Sequence, residues 1–253
     1  MKTIAIANQK GGVGKTTTAL NIADALMHSG YSVLFIDVDP QTNSTSSYKA
    51  VIEDTYTVFD LFQKECTVDE AIQHTDFGDI IAGDSELSGI ELQLQSSLGG
   101  FNILKNALKK AESKYDFCII DTPPNLGIYM LNALIASDLA VIPVKAEKYA
   151  IDGLTKLLQT INDVKVEANP DLEIAGILLT TFDKRNELDN KIWKELKEIE
   201  KEGAFKVFAT PIRICQDVKK AQDALQSLYE VYPNCNAAYD YALVTKELIK
   251  KGE

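Results

Sequence analysis

A chain of 253 residues can bury one sizeable hydrophobic core, and we expect one domain that spans residues 1–253. Hydrophobic residues make up 45% and charged residues 25% of the chain, as in ordinary globular proteins, and no apolar run predicts a membrane span. The formal net charge of −11 argues against a protein that coats nucleic acid through its overall charge. Four scattered cysteines without a C-x-x-C pair predict free thiols in the cytoplasm, not a disulfide framework or a zinc site.

Short apolar runs alternate with helical patterns along the chain, which predicts βαβ units on a parallel sheet. The predicted strands are Thr3–Ala7, Ser32–Asp37, Asp79–Ala82, Phe117–Asp121, Leu139–Val144, Glu173–Thr180 and, with a weaker pattern, Ala204–Phe208. The predicted helices are Thr16–Ser29, Asn102–Lys114, Ile128–Ala136, Asp152–Val166, Asp189–Lys201 and Asn236–Lys251. We therefore predict a single-domain α/β fold of the P-loop NTPase type, with a mostly parallel twisted sheet flanked by helices.

A glycine-rich segment lies between the first predicted strand and the first predicted helix, where a phosphate-binding loop is expected. Glycines let the backbone N–H groups turn inward around a phosphate, and the N-terminus of the following helix adds positive potential. The predicted nucleotide-binding residues of the loop are Gly11, Gly12, Val13, Gly14, Lys15, Thr16 and Thr17. In this arrangement Lys15 reaches the β- and γ-phosphates, and the Thr16 hydroxyl is a ligand of Mg²⁺.

The loop departs from the common pattern G-x-x-x-x-G-K-[ST] at its first two positions. Gln9 replaces the first glycine, and an additional lysine, Lys10, follows it. A second cation at the edge of the loop cannot easily fold back onto its own nucleotide, but it can reach a nucleotide held by a facing subunit. This arrangement suggests a homodimer that encloses two ATP molecules, in which Lys10 acts in trans as an arginine finger does.

The segment KGGVGKTT resembles the deviant Walker A motif of the ParA/MinD family of ATPases, and the DVDPQTN block brings it closest to the ParA-like, Soj-like partition proteins. The further matching blocks are Asp37–Asn43, Ile119–Pro124, Pro143–Ala150, Asp152–Leu154 and Leu178–Asn186. The resemblance covers roughly residues 2–190, and it implies ATP and Mg²⁺ as cofactors and a dimer that forms on ATP binding. No phenylalanine or tryptophan is present in Ala242–Lys251, so we expect no membrane-targeting helix there.

The resemblance assigns roles to three carboxylates at predicted strand ends. Asp39 would orient or deprotonate the attacking water, and Asp121 would hold Mg²⁺ through a water molecule. Asp37 would support the metal shell or the loop from behind. The residues alone leave another interpretation open, in which Asp39 and Asp121 cap the turns that follow their strands.

The adenine and DNA contacts rest on the resemblance as well. Pro211 and Arg213 correspond to a family segment near the base, although the order here is Pro-Ile-Arg instead of Ile-Pro-Arg. Arg185 and Arg213 match positions at which related partition ATPases contact DNA nonspecifically, and Lys184, Lys219 and Lys220 can add to the patch. Residues 181–222 hold ten basic and eight acidic residues, so a solvated surface with mixed charges is the competing interpretation.

The resemblance implies a nucleoid-associated ATPase for DNA partition that a ParB-like centromere-binding protein stimulates. A related positioning ATPase for a protein cargo would use the same dimer cycle, and the sequence does not separate the two. A metabolic enzyme on the same fold is a third hypothesis, but the sequence shows no distinct substrate pocket for it.

Overall fold

The computed structural model describes residues 1–110, 114–148, 150–203 and 205–252. Within these ranges the chain folds around one sheet of seven strands. The strands are β1 (Lys2–Ile6), β2 (Val33–Asp37), β3 (Ile72–Thr75), β4 (Gly78–Ile81), β5 (Phe117–Asp121), β6 (Leu139–Lys145) and β7 (Glu173–Thr180). Their order across the sheet is β3-β4-β2-β5-β1-β6-β7, and all neighbouring pairs are parallel except β3 with β4. The predicted α/β fold is confirmed.

Helices cover both faces of the sheet. They are α1 (Lys15–His28), α2 (Asn43–Ser47), α3 (Val58–Gln63), α4 (Val68–Ala71), α5 (Leu87–Ser96), α6 (Ile103–Leu108), α7 (Ile128–Ala136), α8 (Ala150–Glu167), α9 (Glu187–Lys201), α10 (Gln216–Asp223), α11 (Leu228–Val231) and α12 (Asn236–Gly252). One buried apolar cluster joins the sheet to α3 through α9, and a second joins it to α1, α10, α11 and α12. None of the helices in the described ranges is long and apolar enough to cross a membrane.

The two-sided cover explains why the central strands are apolar along their whole length. Every residue of β2 and of β5 is buried, because the side chains of alternate residues enter the two clusters. The carboxyl ends of β1, β2 and β5 then meet at one edge, where Ile6 and Asp37 both pair in register with Asp121. That edge is where open α/β sheets bind their ligands.

Two predicted elements differ from the structure. Ala204 lies outside the described residues, and the rest of the predicted strand Ala204–Phe208 forms only an isolated parallel bridge between Val207 and Ile177. The prediction of a strand there is wrong. Pro211 lacks an N–H group, and hydrogen bonding to the β7 edge resumes only at Ile212, whose N–H donates to Leu179.

The predicted helix Asn102–Lys114 is shorter in the structure. A 3-10 turn at Gly100–Asn102 leads into α6, which ends at Leu108, and residues 111–113 of the prediction lie outside the described ranges. Tyr149, which belongs to the family-like block Pro143–Ala150, is also outside them. The segment between β2 and β5 holds α2 to α6 and an antiparallel hairpin, β3–β4, of which the sequence indicated only α6 and β4.

Candidate nucleotide and magnesium site

The glycine-rich loop has the backbone conformation that a phosphate cradle requires. Gly12 and Gly14 have φ angles of 72° and 88°, a region that favours glycine, and Gly14 is the N-cap of α1. Thr180, at the end of β7, donates its hydroxyl to the carbonyl of Val13 over 2.8 Å and thereby fixes the loop. A Cβ atom at Gly14 would lie 3.7 Å from the Thr180 side chain. The loop is therefore held from behind by the sheet.

Lys15 extends beneath the loop and is only 7% exposed. Its Nζ donates to the carbonyl oxygen of Lys10 over 3.2 Å, so the side chain spans the cradle. Burial lowers the pKa of Lys15, while the carboxylates of Asp121 and Asp39 act in the opposite direction. The ammonium group thus lies between the loop and two acidic side chains, where its positive charge can bind an anionic phosphate chain.

Asp121 is fully buried at the end of β5. Its Oδ2 accepts a hydrogen bond from the Ser44 hydroxyl over 2.7 Å, but the buried Oδ1 has no hydrogen-bond partner within the described residues. Burial raises the pKa of Asp121 to about 6, and the hydroxyls of Ser44 and Thr16 act against this shift. An unpartnered buried carboxylate oxygen near a loop threonine fits Mg²⁺, which binds proteins through one or two oxygens and keeps several waters.

Asp37 lies behind the site and holds the loop that follows β2. Its Oδ1 accepts from the N–H of Asp39 over 3.1 Å, and its Oδ2 accepts from the backbone and hydroxyl of Thr45. Burial, followed by the nearby Asp121, raises the pKa of Asp37 to about 7. Because both oxygens have protein partners, the geometry agrees with support of the loop from behind, and direct metal ligation by Asp37 stays a prediction.

Asp39 lies at the entrance of the site and is 6% exposed. Its Oδ1 accepts a hydrogen bond from the N–H of Gln41 over 3.0 Å, which shapes the turn at Pro40. The same carboxylate also acts on the pKa of Lys15 and of Asp121, so the three charged groups form one cluster. Asp39 therefore caps a turn and faces the site at once, and its catalytic role stays a prediction.

The edge of the loop is tied to the segment that follows β6. Lys10 Nζ forms an ion pair of 2.5 Å with Glu147, and Lys145 lies 3.7 Å from the same carboxylate. Gln9 donates its amide to the carbonyl of Gly153 over 2.8 Å. The Lys10 side chain is 45% exposed and its ammonium pairs with Glu147 in solvent, and the action of Lys10 in trans stays a prediction.

The predicted adenine residues are placed differently from the phosphate residues. Pro211 is half-buried, and the Arg213 guanidinium and backbone N–H bind the buried Asp240 of α12, with the shortest contact at 2.6 Å. In contrast, Gln222 donates its amide to the Thr17 hydroxyl over 2.9 Å. Pro211 and Arg213 stay predicted base contacts, while Gln222 is a neighbour of the loop that no sequence signal indicated.

The predicted DNA-binding arginines already have acidic partners. Arg185 is 82% exposed and pairs with Asp183 at 2.8 Å, while Lys220 pairs with Asp217 at 2.8 Å. Lys184 and Lys219 are exposed, as the prediction of a surface patch requires. Arg185 has the greater freedom to exchange its partner for a phosphate, because its pair is in solvent whereas Asp240 beside Arg213 is buried.

Two supporting hydroxyls were not identified from the sequence, although a signal for them exists. Ser44 and Thr45 bind Asp121 and Asp37, respectively, and they lie in a run of small polar residues directly after the DVDPQTN block. Hydroxyls close to two strand-end carboxylates are natural hydrogen-bond donors to them. The complete cluster can bind a polyphosphate and hold one divalent cation.

Comparisons with known proteins agree with this geometry. A family model described as an AAA domain matches residues 1–174. The sporulation initiation inhibitor protein Soj of Bacillus subtilis is 38% identical in an alignment of 257 positions that covers 99% of each chain. The chromosome partitioning protein ParA of Caulobacter vibrioides is 40% identical in an alignment of 202 positions that covers 78% of this chain and 76% of that protein.

A solved structure with the same fold contains both predicted cofactor types. Cobyrinic acid a,c-diamide synthase from Mycobacterium smegmatis, with a bound ATP analogue and magnesium, is 30% identical and has a TM-score of 0.86. The match covers 100% of this chain and 97% of that one.

Proposed function

The chain belongs to the ParA/MinD family of P-loop ATPases, and on this premise we propose that it is a DNA partition ATPase that binds ATP and Mg²⁺. The observation that carries the proposal is the pair of lysines on one loop, with Lys15 buried under the cradle and Lys10 turned outward. The similarity to the chromosome partitioning protein ParA over 78% of this chain supports the biological process.

The described side chains can serve hydrolysis mainly by positioning and by neutralising charge. Lys15 would bind the β- and γ-phosphates, and Asp39 would orient the water whose oxygen attacks the γ-phosphorus as the bond to ADP breaks. Thr16 and Asp121 would hold Mg²⁺, the latter through a water, and the ion supplies charge neutralisation when bound. Asp37 binds Thr45 and the backbone of Asp39, and it would thereby keep the loop that follows β2 in place.

The outward position of Lys10 supports a homodimer that forms on ATP binding. In the single chain Lys10 pairs with Glu147 in solvent, and such exposed pairs contribute little stability. A phosphate of the nucleotide bound to the facing subunit can therefore replace Glu147. Hydrolysis would therefore be slow in the monomer, because the catalytic site would be complete only in the dimer. A ParB-like centromere-binding protein would stimulate it.

The dimer would also carry the DNA-binding surface. One subunit with Arg185 and Arg213 offers few phosphate contacts, and the net charge of −11 opposes binding. Two subunits double the contacts on one face, so ATP binding and DNA binding become coupled through assembly. This coupling would place the protein on nucleoid DNA in its ATP-bound state.

Sedimentation with plasmid-length DNA tests the proposal in the presence of ATP, ADP or no nucleotide. We expect binding with ATP alone, which Arg185→Ala reduces and which Lys156→Ala, a change at an exposed lysine on α8, leaves unchanged. Absence of DNA binding in every nucleotide state, with ATP hydrolysis intact, would reject DNA partition and favour the positioning of a protein cargo.

A further inference from the structure

A cavity of about 420 Å³ opens between α1, the β3–β4 turn and the α10–α11 segment. Its walls are largely apolar, and no arginine or lysine lies among the lining residues. The apolar wall residues include Leu20, Met27, Phe77, Val218 and Leu225. Pockets of this kind, apolar with a few convergent polar groups, are typical of binding sites.

Three carboxylates give this cavity a negative charge: Asp24, Asp76 and Glu230. Asp24 is the deepest of them, since its side chain is only 15% exposed. His28 also lines the cavity, but its ring stacks on Tyr229 and its Nδ1 lies 3.0 Å from Asp24.

Asp24 is held in place by two neighbouring side chains. Its Oδ2 accepts from the Ser227 hydroxyl over 2.5 Å, and its Oδ1 is the atom close to His28. Burial raises the pKa of Asp24, because the charged carboxylate is less solvated at this position than in water. A cation that entered the cavity would compensate for this loss.

We infer that the cavity binds the lysine or arginine side chain of a peptide from a partner protein. The apolar walls suit the methylene groups of such a side chain, and Asp24, Asp76 and Glu230 suit its charged end. A basic segment is also the kind of partner that a chain with a net charge of −11 attracts over a distance.

The cavity is linked to the phosphate loop through two of its wall residues. Asn21 donates its amide to the carbonyl of Thr17 over 2.7 Å, and Gln222 donates to the Thr17 hydroxyl over 2.9 Å. A side chain bound between α1 and α10 would therefore contact residues that position the end of the loop. The inference does not depend on DNA binding, so the two proposals can fail separately.

Ligand-observed saturation-transfer NMR with the full chain tests the inference, with N-acetyl-lysine methylamide as the probe. The matched control probe carries an acetyl group on Nε, which removes the charge and retains the methylenes. We expect transfer to the charged probe only. Asp24→Asn should weaken its binding about tenfold, whereas Asp163→Asn on the exposed side of α8 should leave it unchanged.

A second variant covers the case in which Asp24→Asn fails to fold. The double substitution Asp76→Asn/Glu230→Gln changes the other two carboxylates of the cavity and should reduce the affinity for the charged probe about threefold. Saturation transfer that is absent, equal for both probes or insensitive to the carboxylate variants would overturn the inference. These results would be independent of ATP hydrolysis and of DNA sedimentation.

Discussion

Lys10 makes two separate contacts, because its backbone carbonyl binds Lys15 while its own ammonium pairs with Glu147 in solvent. We expect Lys10→Ala to reduce partner-stimulated ATP hydrolysis about 100-fold, in the range of a lost transition-state donor. Nucleotide affinity of the monomer should not change. Stability should change by less than about 0.5 kcal/mol, because the Lys10–Glu147 pair is in solvent.

A steady-state hydrolysis assay with and without partner measures the effect of this substitution. Lys145→Ala is the matched control, since Lys145 lies near the same Glu147 carboxylate but outside the loop. If Lys10→Ala retained the wild-type stimulated rate, the proposed action in trans would be rejected.

Asp24 makes a pH-dependent contribution to stability whose sign follows from its burial. Burial raises its folded-state pKa, while Ser227, His28 and the backbone of Tyr229 oppose the shift and Glu230 adds to it. An acid with a raised folded-state pKa stabilises the folded state below its unfolded pKa, and this contribution is lost as pH rises through the folded pKa.

We therefore expect the stability of Asp24→Asn, relative to wild type, to increase as pH rises above about 4. Urea unfolding at several pH values measures the difference in the free energy of unfolding. Asp163→Asn provides the reference for an exposed aspartate. A difference that stays constant or falls with pH for Asp24→Asn would contradict the assigned effect of burial.

At the scale of elements, the Arg213–Asp240 pair connects the segment beside β7 to α12. Asp240 accepts from both the guanidinium and the backbone N–H of Arg213 and is almost fully buried. Arg213→Ala leaves this carboxylate without its charged partner, and we expect a loss of about 1–3 kcal/mol in the free energy of unfolding. Arg185→Ala, at an exposed pair, should lose much less stability than Arg213→Ala.

Urea midpoints at unchanged m-value measure both effects. In the double variant Arg213→Ala/Asp240→Asn the buried charge is removed, and part of the loss should be restored. Equal effects of Arg213→Ala and Arg185→Ala would show that the pair is not structural. Because of this role, a loss of DNA binding in Arg213→Ala is informative only where its fold is intact.

The elements that the sequence predicted well are those whose burial dictates their pattern. β2 and β5 are covered on both faces, so every residue must be apolar up to the strand-end aspartate. The segment between β2 and β5 has no such requirement. Its helices have four to ten residues and rely on caps such as the Thr57–Asp60 and Thr67–Glu70 capping boxes, which give little periodicity.

The site shows the same division between local and distant signals. The loop glycines, Lys15 and Asp121 were predictable, because a motif or a strand end defines each of them locally. Gln222 was not, since it lies more than 200 residues from Thr17 in the chain and meets it only through the packing of α10 near α1. The partners of Arg185 and Arg213 likewise became visible only in the structure.

At the scale of the whole molecule, the net charge of −11 opposes both proposed assembly steps, but added salt should affect the two steps in opposite directions. Two identical acidic chains repel one another, and salt screens this repulsion. The affinity of ATP-dependent dimerisation should therefore stay the same or increase as salt rises from about 50 to about 200 mM, a range over which the Debye length shortens appreciably. The affinity for DNA should decrease over the same range. With about four phosphate contacts per dimer, the expected loss over that range is about 100-fold.

Sedimentation velocity with a non-hydrolysable ATP analogue measures the dimer, and the same samples with plasmid DNA measure DNA binding. Glu147→Gln serves as an internal comparison, because it removes one negative charge and the cis partner of Lys10 and should favour the dimer at low salt. If salt weakened both equilibria in parallel, attraction between unlike charges would have to dominate the dimer contact. The proposed balance, in which nucleotide contacts overcome repulsion between acidic subunits, would then be wrong.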